Sequence, residues 1–446
     1  MVALCFEGAA LGNAQSIAFQ CKEGERVAIR EMISLEDARE LVLSRVEALD
    51  VEEVGVLDVI GRVAADDLAS DIDIAPFAHA AMDGFALRAA QLQGASADDP
   101  VELDVIAEVP AGSYYDGEIR DGQCVRIMTG APLPDAADAV VKYEVVGVVT
   151  GDGRQGSRVA FEKPADVGDN IRAAGEEARA NEVIVHAGEV IHSAGVGFLT
   201  GCGVTRVKTY RHPKIAIIAT GSELVDPTEM PTQGKIRNSN SYALAACAID
   251  AGAVPTVLPI AADDFEGLKA EVLAATADYD FVATSGGAAN GDYDFIKKVV
   301  DSIGELLMTT VNMRPGKAQT FGIVNGTPVF GLPGNPAAAY LGFEMIVRPA
   351  LRKMQGYSHF ERPHVRARLT GMQKKKDPRR IFNRATLSKD DQGYLVTPAK
   401  NQSSGLFGPI QKANCFVVLP EGEARTYEEG ELLDCVMLDI PEEVLL

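Results

Sequence analysis

Three stretches of the chain combine glycine with groups that can handle an anion. They are Thr220-Gly221-Ser222-Glu223, Thr284-Ser285-Gly286-Gly287 continuing to Gly291-Asp292-Tyr293-Asp294, and Leu332-Pro333-Gly334-Asn335-Pro336. Glycine lets the backbone approach a ligand closely, and a helix N-terminus offers it N–H donors. The same set carries Glu223, Asp292 and Asp294, and Asp263-Asp264 follows a fourth apolar run. Carboxylates beside phosphate-cradling loops repel the ligand unless a divalent cation lies between them. Arg314-Pro315-Gly316-Lys317 adds two cations suited to a phosphate or an oxyanion. Together these residues point to a metal-bridged phosphate or other oxyanion. Each piece also has a plainer reading. Glycine-rich strand ends serve as turns, and Asp263-Asp264 could cap a helix starting near Phe265. One of Asp292 and Asp294 can cap while the other ligates. Pro336 suits the first position of a helix, and Arg314 and Lys317 could be solvated hairpin cations. Their coincidence on one rim favours a site.

A shared rim requires a particular scaffold. Residues 213–355 alternate apolar runs (214–220, 254–260, 280–284, 305–312, 328–332) with helical patterns (239–251, 264–276, 293–302, 336–352). Such alternation predicts a mostly parallel sheet covered on both faces, with ligands beyond the carboxyl ends of its strands. Met32 opens an earlier element, in which Ser34 and Asp37 resemble a capping box before a helical stripe. From about 50 to 212 come short β-like runs, among them Val54–Ile60, Val101–Glu108, Cys124–Met128, Ala139–Val149 and Val183–Val185. Their spacing suggests two interleaved modules. Residues 362–446 read as all-β, a small barrel or sandwich. Residues 1–31 have no clear period and read as a disordered extension.

Composition bounds the rest. The chain has 446 residues and a formal net charge of -22, with 64 acids against 42 bases. At roughly 150 residues per domain the length alone implies about three domains. The charge disfavours a generic nucleic-acid or anionic-membrane binder, so neither partner is expected. Seven scattered cysteines without CxxC suit a reduced, cytoplasmic setting, and six histidines form no zinc motif. A participating metal would be a hard cation held by carboxylates, such as magnesium. No secretory leader is expected from the first residues, which lack a basic region and a continuous apolar core. The uncharged run 318–343 is broken by Asn325-Gly326, Pro328 and Pro333-Gly334-Asn335-Pro336, which argues against a membrane span. Arg362–Arg384 holds nine Lys/Arg and one acid, Asp377. Lys374-Lys375-Lys376 reads as a solvated hairpin tip, while Arg366, Arg380 or Arg384 could instead face an anionic ligand across a dimer.

The ordered motifs resemble those of the molybdopterin molybdenumtransferases. To the stretches above they add Gly-Lys-Ile-Arg-Asn-Ser-Asn (234–240), Ala80-Ala81-Met82-Asp83-Gly84-Phe85-Ala86, and Arg126-Ile127-Met128-Thr129-Gly130-Ala131 with Asp138-Ala139-Val140-Val141. Asn170-Ile171-Arg172 with Gly175-Glu176-Glu177, and Ser404-Gly405-Leu406, complete the set, which runs from about Met32 to the end. The resemblance implies insertion of molybdenum from molybdate into adenylylated molybdopterin, with release of AMP and a requirement for Mg2+. It implies a multidomain α/β fold in four domains. These are an elongated α+β domain (32–71 and 170–212), an inserted β-rich domain (72–169), a three-layer α/β domain (213–355) and a C-terminal β-barrel-like domain (356–446). It also implies a homodimer whose site lies between the third domain of one subunit and the second of the other. Molybdopterin adenylyltransferase would act upstream, and molybdoenzyme apoproteins would be served downstream.

Carried over by position, Glu223, Asp263 and Asp294 are the functional carboxylates and metal ligands. Asp83, Thr129 and Glu177 join them as catalytic positions. The substrate-binding set is Ser285, Gly286, Gly287, Arg314, Pro315, Gly316, Lys317, Pro333, Gly334, Asn335 and Ser404. The chain departs from the pattern at Thr310, where relatives often carry Lys, at Phe77-Ala78-His79, and at Ala288-Ala289-Asn290. His79 reads as a packing or helix-edge group. Molybdopterin adenylyltransferase and a gephyrin-like scaffold are the competing functions. The first leaves the outer domains without purpose, and the second lacks a linker and a fused enzyme domain here.

Overall fold

The computed structural model describes residues 28–261, 264–286 and 295–438. Its centre is a six-stranded sheet in the order Val254–Val257, Lys214–Ala219, Phe281–Ser285, Thr327–Leu332, Ala318–Val324, Glu305–Thr310. The first four strands run parallel, and the last two add antiparallel pairings. Alternate side chains feed two cores. Ile215, Ile217, Phe281, Ala283 and Phe330 face one apolar cluster, and Ala216, Ile218, Val282 and Val329 face the other. The expected parallel sheet with both faces covered is present, with an antiparallel edge.

That edge comes from a strand, Ala318–Val324, that lies outside the expected runs 305–312 and 328–332. Ala318–Val324 forms a hairpin with Thr327–Leu332, and the turn residues Asn325 and Gly326 both have positive φ, 51° and 84°. An Asn-Gly pair with that backbone suits a two-residue hairpin. Here the pair is therefore a turn between strands rather than only a helix breaker.

Helix starts follow local chemistry. The Ser34 hydroxyl accepts the Asp37 N–H at 3.0 Å to open Leu35–Leu43, as the capping pattern predicts. Asp264 accepts the Gly267 N–H at 2.7 Å and caps Phe265–Asp278. The helix expected over 336–352 starts with Pro336 and continues to Met354, through a π-helical segment at Phe343–Val347.

Three antiparallel pairs tie the 51–80 region to the 171–210 region: Val51–Gly55 with Arg206–Tyr210, Leu68–Ala69 with Val183–Val185, and His79–Ala80 with Ile171–Arg172. Between them lies a second six-stranded sheet, in the order Ala139–Lys142, Gly84–Leu87, Gln123–Ile127, Val101–Val109, Arg158–Phe161, Val146–Thr150. Two expected runs break. Val54–Ile60 stops as a strand at Gly55 and becomes a 3-10 turn, with Val59 buried while Leu57 and Ile60 are exposed. Ala139–Val149 is split by a 3-10 turn at Tyr143–Val145 that carries the chain from one edge of the sheet to the other. His79 lies on a strand rather than a helix edge, with its ring edge-on to Phe77 at 6.4 Å.

The C-terminal region closes into a barrel. Arg380–Asp390 pairs with both Gly393–Pro398 and Cys415–Leu419, and the circuit continues through His364–Leu369 and Leu432–Met437. Met313–Arg314, from the α/β body, adds to it alongside Arg380 and Ile381. At the other end of the chain, residues 1–27 lie outside the described residues, whereas Arg30 bridges Met308 and Ile33 bridges Val311 at the sheet edge. The expected unstructured extension therefore does not hold for Arg30 and Glu31. Among the described residues, no helix is long and apolar enough to cross a membrane.

Candidate active site

Parallel pairing brings the ends of three strands together. Ala219 is in register with Ser285, and Ser285 with Leu332. The loops leaving these strands share one rim. The Thr220 N–H donates to Ser285 O at 3.1 Å, and the Gly286 N–H to Leu332 O at 3.2 Å. Gly286 has φ +99°, and a β-carbon there would lie 2.3 Å from Thr220 O. Only glycine fits so close an approach. Asn240 locks two of the loops from below. Its Nδ2 donates to Ser285 Oγ at 2.9 Å and to Gly334 O at 2.8 Å, and Ser285 is buried. Asn240 belonged to a recognised motif, but no spacing argument gave it this role. Gly334 and Asn335 are exposed above Pro333, where the helix Pro336–Gly342 begins.

Glu223 is exposed on the first of these loops, and its carbonyl accepts the Ile236 N–H at 2.8 Å. Its expected companions Asp263 and Asp294 lie outside the described residues, as do Gly287 and Asp292. Among the described residues, no three His, Cys, Asp or Glu side chains form a cluster that could hold a metal.

Beside the rim, a cleft of about 660 Å³ opens between the α/β body and the barrel. Arg314, Pro315, Gly316 and Asn335 line it from one side, and Ser404 joins them because the Ala337 N–H donates to Ser404 O at 2.9 Å. The barrel contributes Lys374, Lys376, Arg379 and Arg384. Among the described residues, the lining thus holds five cations and no carboxylate. Lys317 closes the turn from behind, its carbonyl accepting the Val311 N–H at 2.9 Å.

The lysine run sits at the end of the strand Gln373–Lys375, paired with Arg425–Tyr427, rather than at a hairpin tip, and only its outer two lysines are exposed as expected. Lys374 and Lys376 face the cleft, while Lys375 is 2% exposed, its Nζ bonded to Gly422 O at 2.8 Å. Of the three candidate arginines, Arg380 is taken by Glu36 and Glu421, and Arg366 lies exposed near Asp434. Arg384 does line the cleft. It is almost fully buried, bonds Ser403 O at 3.0 Å and Asn401 O at 3.4 Å, and has a buried Nε without a partner among the described residues. Burial lowers its pKa. An orphaned, buried guanidinium N–H leaves hydrogen-bonding capacity for an anion.

Asp377 sits behind the cleft wall. Its Oδ1 accepts Arg379 Nε at 2.9 Å and its Oδ2 accepts Arg314 NH1 at 3.1 Å. The Arg379 hydrogen bonds, with Arg314 adding to them, hold its carboxyl far below the usual carboxylate range.

The remaining expected residues form a separate set. Asp83 Oδ1 accepts both the Thr129 N–H and the Thr129 hydroxyl at 2.7 Å. Those bonds, the backbone one first, lower the Asp83 pKa. Glu177 is exposed on the returning segment, its N–H donating to Ile74 O at 3.0 Å. Among the described residues, no hydrogen bond or ion pair joins Asp83, Thr129 or Glu177 to the rim.

Comparison with known proteins bears on all these parts. Family models match for the MoeA N-terminal region (domain I and II) at residues 33–203, a probable molybdopterin binding domain at 216–353, and the MoeA C-terminal region (domain IV) at 366–438. A molybdopterin molybdenumtransferase from Staphylococcus aureus is 33% identical over 420 residues, 94% of this chain and 99% of its own length. One from Staphylococcus epidermidis is 34% identical over 414 residues, 92% of this chain and 96% of its own length. Two solved structures of molybdopterin biosynthesis MoeA protein from Pyrococcus horikoshii, at 33% and 28% identity, each superpose with a TM-score of 0.77. They cover 91% of this chain, and 99% and 100% of their own. Sequence, domain models and fold agree over nearly the whole length, and the chain belongs to the MoeA family.

Proposed function

We propose that the protein is a molybdopterin molybdenumtransferase, which inserts molybdenum from molybdate into adenylylated molybdopterin and releases AMP. The observation that carries this reading is the continuity of the glycine rim with the five-cation cleft through Gly334 and Asn335. A substrate with a phosphoanhydride and a separate oxyanion needs adjacent anion sites, and this junction offers them.

Each part has its task. The loops at Gly286 and Gly334, fixed by Asn240, receive the phosphate region of the pterin substrate. Arg314, Arg379, Arg384, Lys374 and Lys376 offset the charge of phosphate and molybdate in the cleft. Asp83 and Thr129, exposed in a single chain, would line the opposite wall when a second copy supplies them, so the working unit is a homodimer. There the ionised Asp83 holds the Thr129 hydroxyl, and the pair orders the oxyanion or the attacking oxygen. Positioning and charge offset suffice for phosphoanhydride cleavage without a covalent enzyme intermediate.

Magnesium fits the donor chemistry, since Glu223 and the sequence positions Asp263 and Asp294 are all oxygen ligands. These residues would hold it, and when bound it would offset charge on the phosphoanhydride. The described cysteines are unpaired thiols, which suits a cytoplasmic enzyme. Molybdopterin adenylyltransferase would supply its substrate and molybdoenzyme apoproteins would take its product.

The test mixes purified protein with adenylylated molybdopterin, magnesium and molybdate, and follows AMP release and reconstitution of an apo-molybdoenzyme. Absence of AMP release overturns the reading. Formation of the adenylylated substrate from ATP and molybdopterin would instead identify an adenylyltransferase. In the same assay, Arg384→Lys should raise the KM for molybdate by about tenfold, because an ammonium cannot reproduce the guanidinium fork. An unchanged KM would remove Arg384 from the oxyanion site.

A further inference from the structure

Residues Arg30–Glu36 touch both bodies that form the cleft, yet none of them lines it. Along the α/β body they form a short ladder. The Arg30 N–H donates to Leu307 O at 2.9 Å, and the Thr309 N–H to Arg30 O at 3.1 Å. The Met32 N–H donates to Thr310 Oγ1 at 2.7 Å, and the Asn312 N–H to Ile33 O at 2.8 Å. Thr309 Oγ1 also donates to Glu31 Oε1 at 3.0 Å. Met32 has φ +51°, a left-handed conformation that a methionine holds only where surrounding bonds impose it.

The same segment reaches the barrel. Glu36 pairs with Arg380, which also bonds Glu421. The Arg380 N–H donates to Asn312 O at 3.3 Å. Asn312 is thus held by the N-terminal segment on one side and the barrel on the other, two residues before Arg314. Thr310, which anchors the ladder, is 8% exposed. The N-terminal family model begins at residue 33, so Arg30–Met32 lie ahead of its span.

We infer that Arg30–Glu36 form a positioning strap: through Thr310, Asn312 and Arg380 they fix the turn that carries Arg314 against the barrel wall, and so set the affinity of the cleft for its oxyanion. The inference rests on the cleft being an oxyanion site. Its physical basis is preorganisation. Arg314 is more than half exposed, and anchoring its backbone lowers the ordering cost of binding. The effect falls on binding, because Arg314 meets the anion before and during reaction alike.

The test compares Thr310→Val, which is close in shape but leaves the Met32 N–H without its acceptor, with Thr310→Ser, which keeps the acceptor. Glu36→Gln loosens the barrel end of the strap from an exposed position and guards against a Thr310→Val protein that fails to fold. Hydrogen exchange at residues 312–317 should quicken in Thr310→Val and Glu36→Gln and stay as wild type in Thr310→Ser. The KM for molybdate should rise about fivefold with kcat within about twofold, the size of one lost hydrogen bond. Unchanged exchange at 312–317 would overturn the strap. So would a parallel fall of kcat and melting temperature that serine does not rescue. If the wild-type protein turns over no molybdate, the oxyanion reading fails, while the exchange data still decide whether the strap holds the turn.

Discussion

Glu223→Gln is expected to lower the turnover of AMP release roughly a hundredfold or more, while the melting temperature stays within a few degrees of wild type. The two halves of that expectation have separate causes. Glu223 is exposed on a loop, and its main-chain carbonyl, which accepts Ile236, is untouched by the substitution. Replacements at such positions usually change stability by only about 0.5 kcal/mol in either direction. The chemical loss arises because glutamine keeps the size but removes the charge. A hard cation beside a phosphoanhydride is held chiefly by anionic oxygens, and a neutral amide is a poorer ligand. Raising magnesium should therefore recover part of the activity in the variant. Full activity at ordinary magnesium would exclude Glu223 from the metal site, and a large drop in melting temperature would make it structural.

Glu223 also shows which parts of the site could be read from sequence. A strand end followed by Thr-Gly-Ser-Glu is a local pattern, so the rim could be placed from strand periodicity and loop composition alone. The Gly286 and Pro333-Gly334-Asn335 loops were legible for the same reason. The cleft was not, because its cations come from two bodies about 60 positions apart: Arg314 from the α/β region, and Lys374 to Arg384 from the barrel. Three consecutive lysines look alike in sequence, yet the strand Gln373–Lys375, paired with Arg425–Tyr427, turns Lys375 inward to carbonyls and leaves its neighbours on the cleft. Arg380 and Arg384 likewise differ only by what lies across from them. Glu36 and Glu421 consume the first, and backbone carbonyls leave the second partly unsatisfied. The missed strand Ala318–Val324 has another cause. Only Asn325-Gly326 separates its apolar run from the next, and that pair breaks a helix as well as it turns a hairpin.

The largest expected loss of folding falls on a glycine. Gly286→Ala should destabilise the protein by roughly 2–4 kcal/mol and abolish activity, whereas Gly334→Ala should remain folded with stability close to wild type. At Gly286 the backbone has φ +99°, and a β-carbon would stand 2.3 Å from Thr220 O and 3.0 Å from Thr220 Oγ1. The nearest atom is main chain, so no side-chain rotation relieves it. The strand end must move, weakening the Thr220–Ser285 and Gly286–Leu332 hydrogen bonds that align the rim. At Gly334 the nearest atom to a new β-carbon is the Gly286 Cα at 3.7 Å, an ordinary contact. If Gly334 serves the phosphate approach, Gly334→Ala will keep its melting temperature and raise the KM for adenylylated molybdopterin. Equal thermal losses in the two variants would mean that the rim glycines matter for strand packing and not for the ligand. A stable Gly286→Ala protein would show that the rim can open at Thr220 without loss, and would remove the reason for its being glycine.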